Sequence, residues 1–446
     1  MIRSAVLRML LALAVFAWCS AATTARTDVL TLDKALELAL QNNLKVENAG
    51  LEVGKAGDSV AAARTRRLPS FNLTVLESKN LTQESYEFKQ GVFGTFPGIG
   101  PIPPNDTDIE THPGFTTIVA ASLEQPLLQL YRINLNIGQR ETKQAITRQE
   151  LRAQRQSVAN DVKQVYYKLL QTEGALQAID ESIVFYRELN QLLERYLAEG
   201  TILKSESLEA KTRLAKAEYD ALTHRNDLAT EKEKLNHLMG RDISVEFTVS
   251  PIPESTVYEV DLEAAQALAF QQRPEIKEAN LKVQHAEYER RIKQSEYIPD
   301  LSLKASYYTP FNTELLPRNV ASVGLFLRWD FYDWGRKRDN LAEKYKAIKQ
   351  ADNEVRQTKD NVIIEVNNQY RKLQESRVRL NVARLSRETA KEKLRVAMDE
   401  YKQKAVLLKN VLQDETSLAE SNRQYEDALL SFWKAKADFE KAIGEE

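Results

Sequence analysis

One pattern occurs twice in this sequence, and this internal repeat constrains the fold more than any other feature. The segment LDKALELALQ at 32–41 aligns with LEAAQALAFQ at 262–271, a shift of 230 positions, and further along the chain the shift becomes 204. The first copy therefore contains about 26 extra residues, which we place in a turn-rich loop. The predicted division is a first repeat at 26–240 with an inserted loop at 77–113, a linker at 241–260 and a second repeat at 261–446.

Residues 1–25 have the composition of a secretory signal peptide. Arg3 and Arg8 precede an apolar run of about ten residues that ends at Trp18, and small residues follow. This run is too short to cross a bilayer, which takes about 20 residues, and we expect no transmembrane helix later in the chain. The only cysteine, Cys19, lies in this segment, and whether it is lipidated stays open. We expect the mature chain to have neither disulfides nor thiolate chemistry.

Each repeat predicts one very long helix and shorter helices of about half that length. Apolar residues at spacings of three and four run through 132–197 and again through 336–401, and neither stretch contains proline. At 1.5 Å per residue each of these helices is about 100 Å long. The stripe is as narrow as a coiled-coil seam. Together with shorter helices near 32–67 and 204–238, the pattern predicts antiparallel coiled coils.

Between the helices the apolar period changes to two, which predicts four β-strands. Alternation is clear at 71–76, 301–307 and 323–331 and weaker at 116–128. Segments of about ten alternating residues with aromatic ends are typical of transmembrane β-strands, although a half-buried soluble sheet gives the same pattern. The aromatic residues expected at the membrane interface are Phe71, Tyr307, Tyr308, Trp329 and Trp334.

Four strands cannot form a membrane barrel alone, because an open edge leaves backbone groups unpaired in lipid and the smallest such barrels have about eight strands. Two chains would give eight strands and a filled interior, whereas three would give twelve and leave a water path. A conduit therefore favours three chains. The 62 basic and 64 acidic residues nearly cancel, so charge gives no reason to expect nucleic acid as a partner.

The duplicated helix start, the junctions LPS at 68–70 and IPD at 298–300, and LRWDFYDWGR at 327–336 resemble the TolC-like outer-membrane efflux protein (outer-membrane factor) family over about 29–444. The resemblance implies a mainly α fold with β, in which long antiparallel coiled-coil helices form an α-helical barrel. It also implies that four strands per chain contribute to a trimeric twelve-stranded transmembrane β-barrel.

The function implied by the resemblance is a passive exit duct in the outer membrane of a Gram-negative-type bacterium, extending into the periplasm. Its implied partners are outer-membrane lipid, two further copies of the chain, a periplasmic adaptor (membrane fusion) protein and an inner-membrane pump of the RND or ABC type. The duct would serve a tripartite efflux or type I secretion system. The cargo is not implied.

The resemblance further implies a constriction at the periplasmic end of the tunnel, often formed by acidic residues one helical turn apart. The matching positions here carry the amides Asn410 and Gln413, with Asp414 adjacent. The equivalent positions of the first repeat carry Glu206 and Glu209. A spacing of three puts each pair on one helix face. Because Glu206 and Glu209 are acidic and Gln413 is an amide, we expect the acidic pair to influence cation selectivity more than Gln413.

The turns that join the long and short helices carry apolar residues, which either cap the coiled coils or contact the adaptor. Lys404 stands where the family has a glycine, so the geometry of the second turn is expected to differ. The candidate tip residues are Gly200, Leu203, Lys404, Leu407 and Leu408.

Catalytic chemistry has no visible basis in the sequence. The four histidines, His112, His224, His237 and His285, have unrelated contexts and form neither a metal-ligand motif nor a nucleophile–base arrangement. We expect no enzymatic activity, no cofactor and no metal site. Two alternatives to a duct stay open, namely a secreted coiled-coil structural or adhesion protein without a pore, and a signalling rod that binds partners without conducting.

Overall fold

The structure is a computed structural model of the chain. The predicted signal peptide with Cys19, the candidate tip residue Lys404 and the linker residues 253–260 lie outside the described residues. The residues that the structure describes are 28–79, 81–83, 85–110, 114–252, 261–313, 316–403 and 405–445.

Two compact units alternate along the chain, so that each unit draws residues from both predicted repeats. Unit 1 takes the described residues up to 51, together with 149–277 and 356–446. Unit 2 consists of 52–148 and 278–355. The units therefore do not coincide with the repeats.

The described elements occur in the same order in both halves of the chain, apart from the extra strands of the first half. The first half contains β1 (Asp28–Leu30), α1 (Leu32–Asn42), α2 (Leu44–Thr65), β2 (Ser70–Lys79), β3 (Ser85–Phe88), β4 (Thr95–Phe96), β5 (Gly100–Pro101), β6 (Thr107–Glu110), β7 (Phe115–Pro126), α3 (Gln129–Ala198) and α4 (Lys204–Leu238). The second half contains β8 (Phe247–Val249), α5 (Leu262–Gln272), α6 (Pro274–Ser295), β9 (Asp300–Phe311), β10 (Val320–Arg328), α7 (Arg336–Lys402) and α8 (Leu408–Ile443).

Corresponding helices have nearly equal lengths. The long helices α3 and α7 have 70 and 67 residues, and α4 and α8 have 35 and 36. The predicted helix at 32–67 is instead two helices, because the chain leaves helical geometry at Asn43. The equivalent break in the second half falls at Arg273, directly before a proline.

Asn43 and Arg273 tie these breaks to the ends of α4 and α8 within unit 1. The Asn43 side-chain amide donates a hydrogen bond of 2.8 Å to the carbonyl of Leu238. The guanidinium of Arg273 donates to the carbonyl of Ala442 at 3.3 Å and forms an ion pair of 2.6 Å with Glu365. Both side chains therefore satisfy carbonyls that a helix end leaves without an internal partner.

Glycine follows both of these helix ends for a steric reason. Gly240 and Gly444 have φ angles of 66° and 91°, a left-handed geometry that favours glycine. A Cβ atom on Gly240 would lie 2.2 Å from the carbonyl oxygen of Asn42, and one on Gly444 would lie 2.9 Å from Cβ of Gln272. In both halves, therefore, the C-terminal end of the shorter helix, α4 or α8, lies close to the helix break at Asn43 or Arg273.

The predicted coiled-coil seams are confirmed by burial in unit 1. The buried seam residues of α3 include Val158, Val162, Leu169, Ile183 and Leu193, and those of α7 include Val362, Val366, Leu373, Ala383, Ala390 and Ala397. Thr172, which fills a gap in the apolar pattern, is also buried, and its hydroxyl donates a hydrogen bond of 3.0 Å to the carbonyl of Lys168. Polar residues such as threonine can occupy the seam because carbonyl groups of the helix backbone accept hydrogen bonds from their side chains.

Tyr166 anchors α3 to the parallel pair of β1 and β8. Its phenol oxygen lies 2.9 Å from the carbonyl oxygens of Leu30 and Ser250 and accepts a hydrogen bond of 3.1 Å from the Ser250 N–H. Burial raises the pKa of Tyr166 to about 12. The neutral phenol therefore belongs to the core of unit 1.

Unit 2 contains a four-stranded antiparallel sheet with the strand order β10-β9-β7-β2. The last predicted strand is shorter than expected, because β10 ends at Arg328 and leaves Trp329 and Phe331 outside it. The reason is the start of α7. The carboxylate of Asp333 accepts hydrogen bonds from the N–H groups of Gly335 and Lys337 at 3.2 and 3.0 Å, which turns the chain into the helix.

The insertion at 77–113 is not the irregular loop expected from its glycines and prolines. In its described part, β3 pairs with β6 and β4 pairs with β5, both antiparallel. The pairing continues that of β2 with β7, with the register shifted by one residue at each interruption. These strands escaped prediction because segments of two to four residues are too short to show a period.

Within the described residues, no helix combines the length and the apolar character needed to cross a membrane.

Candidate functional site

The four-stranded sheet of unit 2 has two chemically different faces, as the alternation predicted. Directly paired residues of antiparallel strands point to the same side, and the register aligns Phe71, Leu123, Ala305 and Val323 across the sheet. Phe71 and Val323 are 76% and 74% exposed. We call this side the apolar face; its exposed large residues include Phe71, Leu73, Val75, Leu303, Tyr307, Val323, Leu325 and Leu327.

The opposite side, the polar face, carries hydroxyl, amide and charged groups. Its central row consists of Asn72, Ser122, Ser306 and Ser322, one from each strand. The hydroxyls of Ser306 and Ser322 are hydrogen-bonded at 2.7 Å. The polar face also exposes a few large apolar residues, Leu76, Val320 and Phe326, outside this central row. A sheet with large apolar residues along one side and a central polar row on the other suits a boundary between lipid and water.

Both outer strands of this sheet have an open side. In the described part of the chain, β2 pairs only with β7, and β10 pairs only with β9. An open edge leaves one row of N–H and C=O groups without ladder partners, which is unfavourable in water and much more so in lipid. The sheet is therefore incomplete as a membrane structure.

The candidate interface aromatics lie in different environments. Tyr307 is on the apolar face, and its hydroxyl donates a hydrogen bond of 2.7 Å to the side chain of Asn319. Trp329 and Trp334 are exposed in the turn between β10 and α7. Tyr308 lies on the polar face because adjacent strand residues point to opposite sides, and its position at the membrane interface stays a prediction.

Charged side chains hold together the end of the sheet where the strands meet the helices. Asp300, in the second helix-to-strand junction noted in the sequence, forms an ion pair of 2.7 Å with Arg132 of α3. A second arginine, Arg328 at the end of β10, lies 3.5 Å from the same carboxylate. The junction motif therefore joins two strands and a helix within unit 2.

The two helix turns of unit 1 present equivalent leucines. Leu203 and Leu407 directly precede α4 and α8 and are 68% and 72% exposed, and Gly200 has a φ angle of 71°. Leu408, in contrast, is only 5% exposed and packs with the coiled-coil core. For Leu408, burial therefore favours the alternative that it caps the coiled coil over contact with the adaptor.

The acidic pair of the first repeat lies directly after the first helix turn. The Glu206 carboxylate accepts a hydrogen bond of 3.2 Å from the Leu203 N–H. Burial and the nearby Glu206 charge raise the pKa of Tyr401. The exposed Glu209 carboxylate lies 3.5 Å from the guanidinium of Arg213, which balances part of its charge.

The second repeat is more acidic at this level than its amides suggested. Asn410 and Asp414 line a groove of about 630 Å³ along α7, whereas Gln413 is exposed and is not among the lining residues. The groove is also lined by Lys393 and by three glutamates of α7, Glu388, Glu392 and Glu400, of which Glu392 is ion-paired with Arg395 at 2.7 Å. Their spacing of four or eight residues marks one helix face and could have revealed them in the sequence.

A buried polar contact that the sequence did not reveal joins α3 to α8. Glu415 is 4% exposed and accepts a hydrogen bond from the hydroxyl of Tyr186, which is also buried. Burial and the Glu415 carboxylate raise the pKa of Tyr186. Next to this pair, Arg213 of α4 donates a hydrogen bond of 2.8 Å to the Thr416 hydroxyl. Three helices of unit 1 thus meet at one polar cluster.

Unit 1 also exposes apolar residues on two different helices. We call Val378, Val382 and Leu385 the α7 stripe. We call Leu208, Tyr219 and Leu222 the α4 stripe. Stripes of exposed apolar side chains with helical spacing are typical of surfaces that another helix covers.

Among the described residues, no group of three or more histidine, cysteine, aspartate and glutamate side chains is placed to hold a metal ion.

Long coiled coils and a sheet with one apolar and one polar face are the features expected of an outer-membrane channel. The family model described as outer membrane efflux protein matches residues 35–241 and 266–445, and the chain belongs to this family. Its members are transport channels rather than enzymes, and they work with a periplasmic adaptor and an inner-membrane pump. The chain is accordingly an exit channel of the outer membrane that reaches into the periplasm.

Individual relatives are distant in sequence. The chain is 22% identical over 336 residues to the proteases secretion protein PrtF of Dickeya chrysanthemi, which covers 73% of this chain and 69% of that protein. Its fold is similar to the CmeC outer membrane channel of Campylobacter jejuni, with a TM-score of 0.75, 15% identity and coverage of 93% and 85% of the two chains. It is also similar to the MtrE outer membrane channel of Neisseria gonorrhoeae, with a TM-score of 0.72, 15% identity and coverage of 93% and 89%.

Proposed function

We propose that three copies of this chain close a twelve-stranded barrel in the outer membrane and conduct substrates passively through it. The observation that carries the proposal is the four-stranded sheet with two open edges and an exposed apolar face. Pairing β2 of one copy with β10 of the next leaves no edge once the ring closes. In this arrangement the apolar face meets lipid and the polar face lines a water path, which twelve strands leave open.

The exposed apolar stripes of unit 1 support the same threefold symmetry. The α7 stripe and the α4 stripe belong to helices from different repeats, so one copy can offer its α7 stripe to the α4 stripe of the next. A contact between two different surfaces generates a closed ring when the rotation from copy to copy returns to the first copy. We propose that both repeats, 26–240 and 261–446, contribute two strands and one long helix to each third of the channel.

We place the periplasmic contacts at the two helix turns. The exposed leucines Leu203 and Leu407 would contact the adaptor, since exposed apolar residues at a rim are typical of partner surfaces. The polar residues behind them, Glu206, Glu209, Asn410 and Asp414, would line the narrow periplasmic end. The glutamates of the α7 groove would add negative charge at the same level.

The pump is either of the RND or of the ABC type. The relative PrtF is named as a protease secretion protein, and an exit duct of type I secretion would receive its cargo from an ABC pump. The relative CmeC is named as an outer membrane channel. The proposal therefore covers both efflux, which the family description names, and protein secretion, with the same passive step at the outer membrane.

Reconstitution of the purified protein into planar lipid bilayers tests this function. We expect a particle with the mass of three chains, and stepwise ion conductance after insertion. A monomer that stays soluble without detergent and gives no conductance would contradict the proposal. It would favour a poreless coiled-coil protein.

A further inference from the structure

Charges on the polar face are confined to its helix-side end. Glu124 of β7 and Lys304 of β9 are directly opposite each other in the strand register. The Lys304 ammonium lies 5.7 Å from the ring centroid of Phe326, whose side chain is on the same face. Two opposite charges in neighbouring strands therefore share one row of the polar face.

The remaining charges of this face are already engaged at the junction with the helices. Asp300 and Arg328 are directly paired in the register and lie 3.5 Å apart, and Arg132 also contacts the Asp300 carboxylate. They belong to the cluster that holds the end of the sheet. Glu124 and Lys304 are therefore the pair that borders the interior of the polar face.

From this pair toward the strand ends away from the helices, the strand residues of the polar face carry no charge. The successive rows are Asn72, Ser122, Ser306 and Ser322, then Thr74, Ala120, Tyr308 and Val320, then Leu76, Ile118 and Pro310, then Ser78 and Thr116. An imbalance in the row of Glu124 and Lys304 would therefore act without compensation from these rows of the four-stranded sheet.

We infer that Glu124 and Lys304 make the barrel nearly unselective between anions and cations, because their opposite charges cancel. The inference rests on the proposed function, in which the polar face lines the pore and the pair occurs three times around it. Side chains directly opposite in a ladder have Cα atoms about 5 Å apart. This separation is shorter than the Debye length of about 8 Å at physiological ionic strength. An ion in the pore then meets a nearly neutral ring, and the barrel admits anions and cations alike.

Single substitutions at the two positions test this inference through reversal potentials under a salt gradient. Lys304→Gln leaves three glutamates in the ring, and we expect the cation-to-anion permeability ratio to rise on the order of twofold or more. Glu124→Gln leaves three lysines, and we expect a shift of the opposite sign. The double variant should return to the ratio of the unmodified protein.

Glu77 and Lys79 provide a matched control. Both are strand residues of β2 on the apolar face, and Lys79 lies 5.8 Å from the ring centroid of Phe115 on that face. Glu77→Gln and Lys79→Gln remove the same types of charge, and we expect neither to change the permeability ratio.

The outcomes separate the inference from the proposed function. If the channels conduct but both single variants keep the original ratio, the inference is overturned and the duct stands. Shifts of the same sign in both variants also overturn it. If the unmodified protein fails to conduct, the duct itself fails. Should one variant not assemble, the sign of the shift in the other still decides.

Discussion

Tyr186 and Glu415 form a buried hydrogen bond where two helices cross. A carboxylate withdrawn from water needs a donor, and the Tyr186 hydroxyl supplies one from the neighbouring helix. The contact links α3 to α8 in unit 1, where apolar core residues and the polar side chains of Arg213 and Thr416 surround it. The pair is therefore expected to fix the relative position of the two helices as well as to stabilise them.

Replacing Tyr186 by phenylalanine removes this donor and keeps the ring. We expect Tyr186→Phe to lower the free energy of unfolding by about 1–3 kcal/mol, the usual result of leaving a buried polar group without a partner. Urea denaturation followed by circular dichroism, at one fixed protein concentration, measures the change.

Tyr131→Phe is the control for the chemistry of the substitution. Tyr131 is an exposed residue of α3 outside both stripes, and we expect its loss of a hydroxyl to change stability by less than about 0.5 kcal/mol. An equal effect at both positions would show that the Tyr186 contact contributes nothing specific.

At the scale of elements, adjacent residues of one strand should respond in opposite ways to the same change. Val323 and Ser322 are neighbours in β10, on the apolar and the polar face respectively. We expect Val323→Arg to destabilise the membrane-inserted protein by roughly 2–4 kcal/mol, as for a charge on the lipid side near the bilayer midplane. Ser322→Arg should insert nearly as well as the unmodified chain. Unfolding from lipid vesicles in urea measures both, and a similar loss in the two variants would contradict the assignment of the faces.

Elements with a long, regular period could be predicted from the sequence, and those without one could not. The ends of α3 and α7 fall within three residues of the predicted limits, because a seam such as Val158 to Leu193 extends over many turns. The break at Asn43 was missed because apolar residues flank it on both sides. It depends on the tertiary contact of its side chain with Leu238.

The candidate site was predictable to a smaller extent. The faces of the sheet follow directly from alternation, which puts Phe71 and Tyr307 on the exposed apolar side, and their place at the membrane interface stays a prediction. Leu407 and Leu408 are neighbours with the same side chain, and only packing decides that the first is exposed and the second is buried. The polar pair of Tyr186 and Glu415 joins residues 229 positions apart, and no local pattern relates them.

At the scale of the whole molecule, the proposed trimer would cover exposed surfaces of both units. The apolar α7 stripe gives a way to weaken assembly in unit 1 without touching the sheet. We expect the double variant Val382→Glu and Leu385→Glu to raise the dissociation constant of the trimer at least about tenfold, since unpaired charges resist burial at an interface. Sedimentation velocity in detergent over a range of protein concentrations measures this change.

Lys391→Glu is the matched control on the same helix. Lys391 is exposed but belongs to the charged part of α7 rather than to the stripe. We expect the trimer of this variant to dissociate like the unmodified protein. Equal weakening by both changes would point to net charge, rather than coverage of the stripe, as the cause.

The open strands β2 and β10 have a consequence for cells that make two versions of this protein. A chain whose β2 cannot pair would still enter a mixed ring through its intact β10. One such chain is enough to break the closed wall of the proposed trimer. If intact and defective chains were made in equal amounts and mixed at random, only about one ring in eight would contain three intact copies. A defect in one of two gene copies would then reduce channel function even though the other copy is intact, so the defect would be dominant.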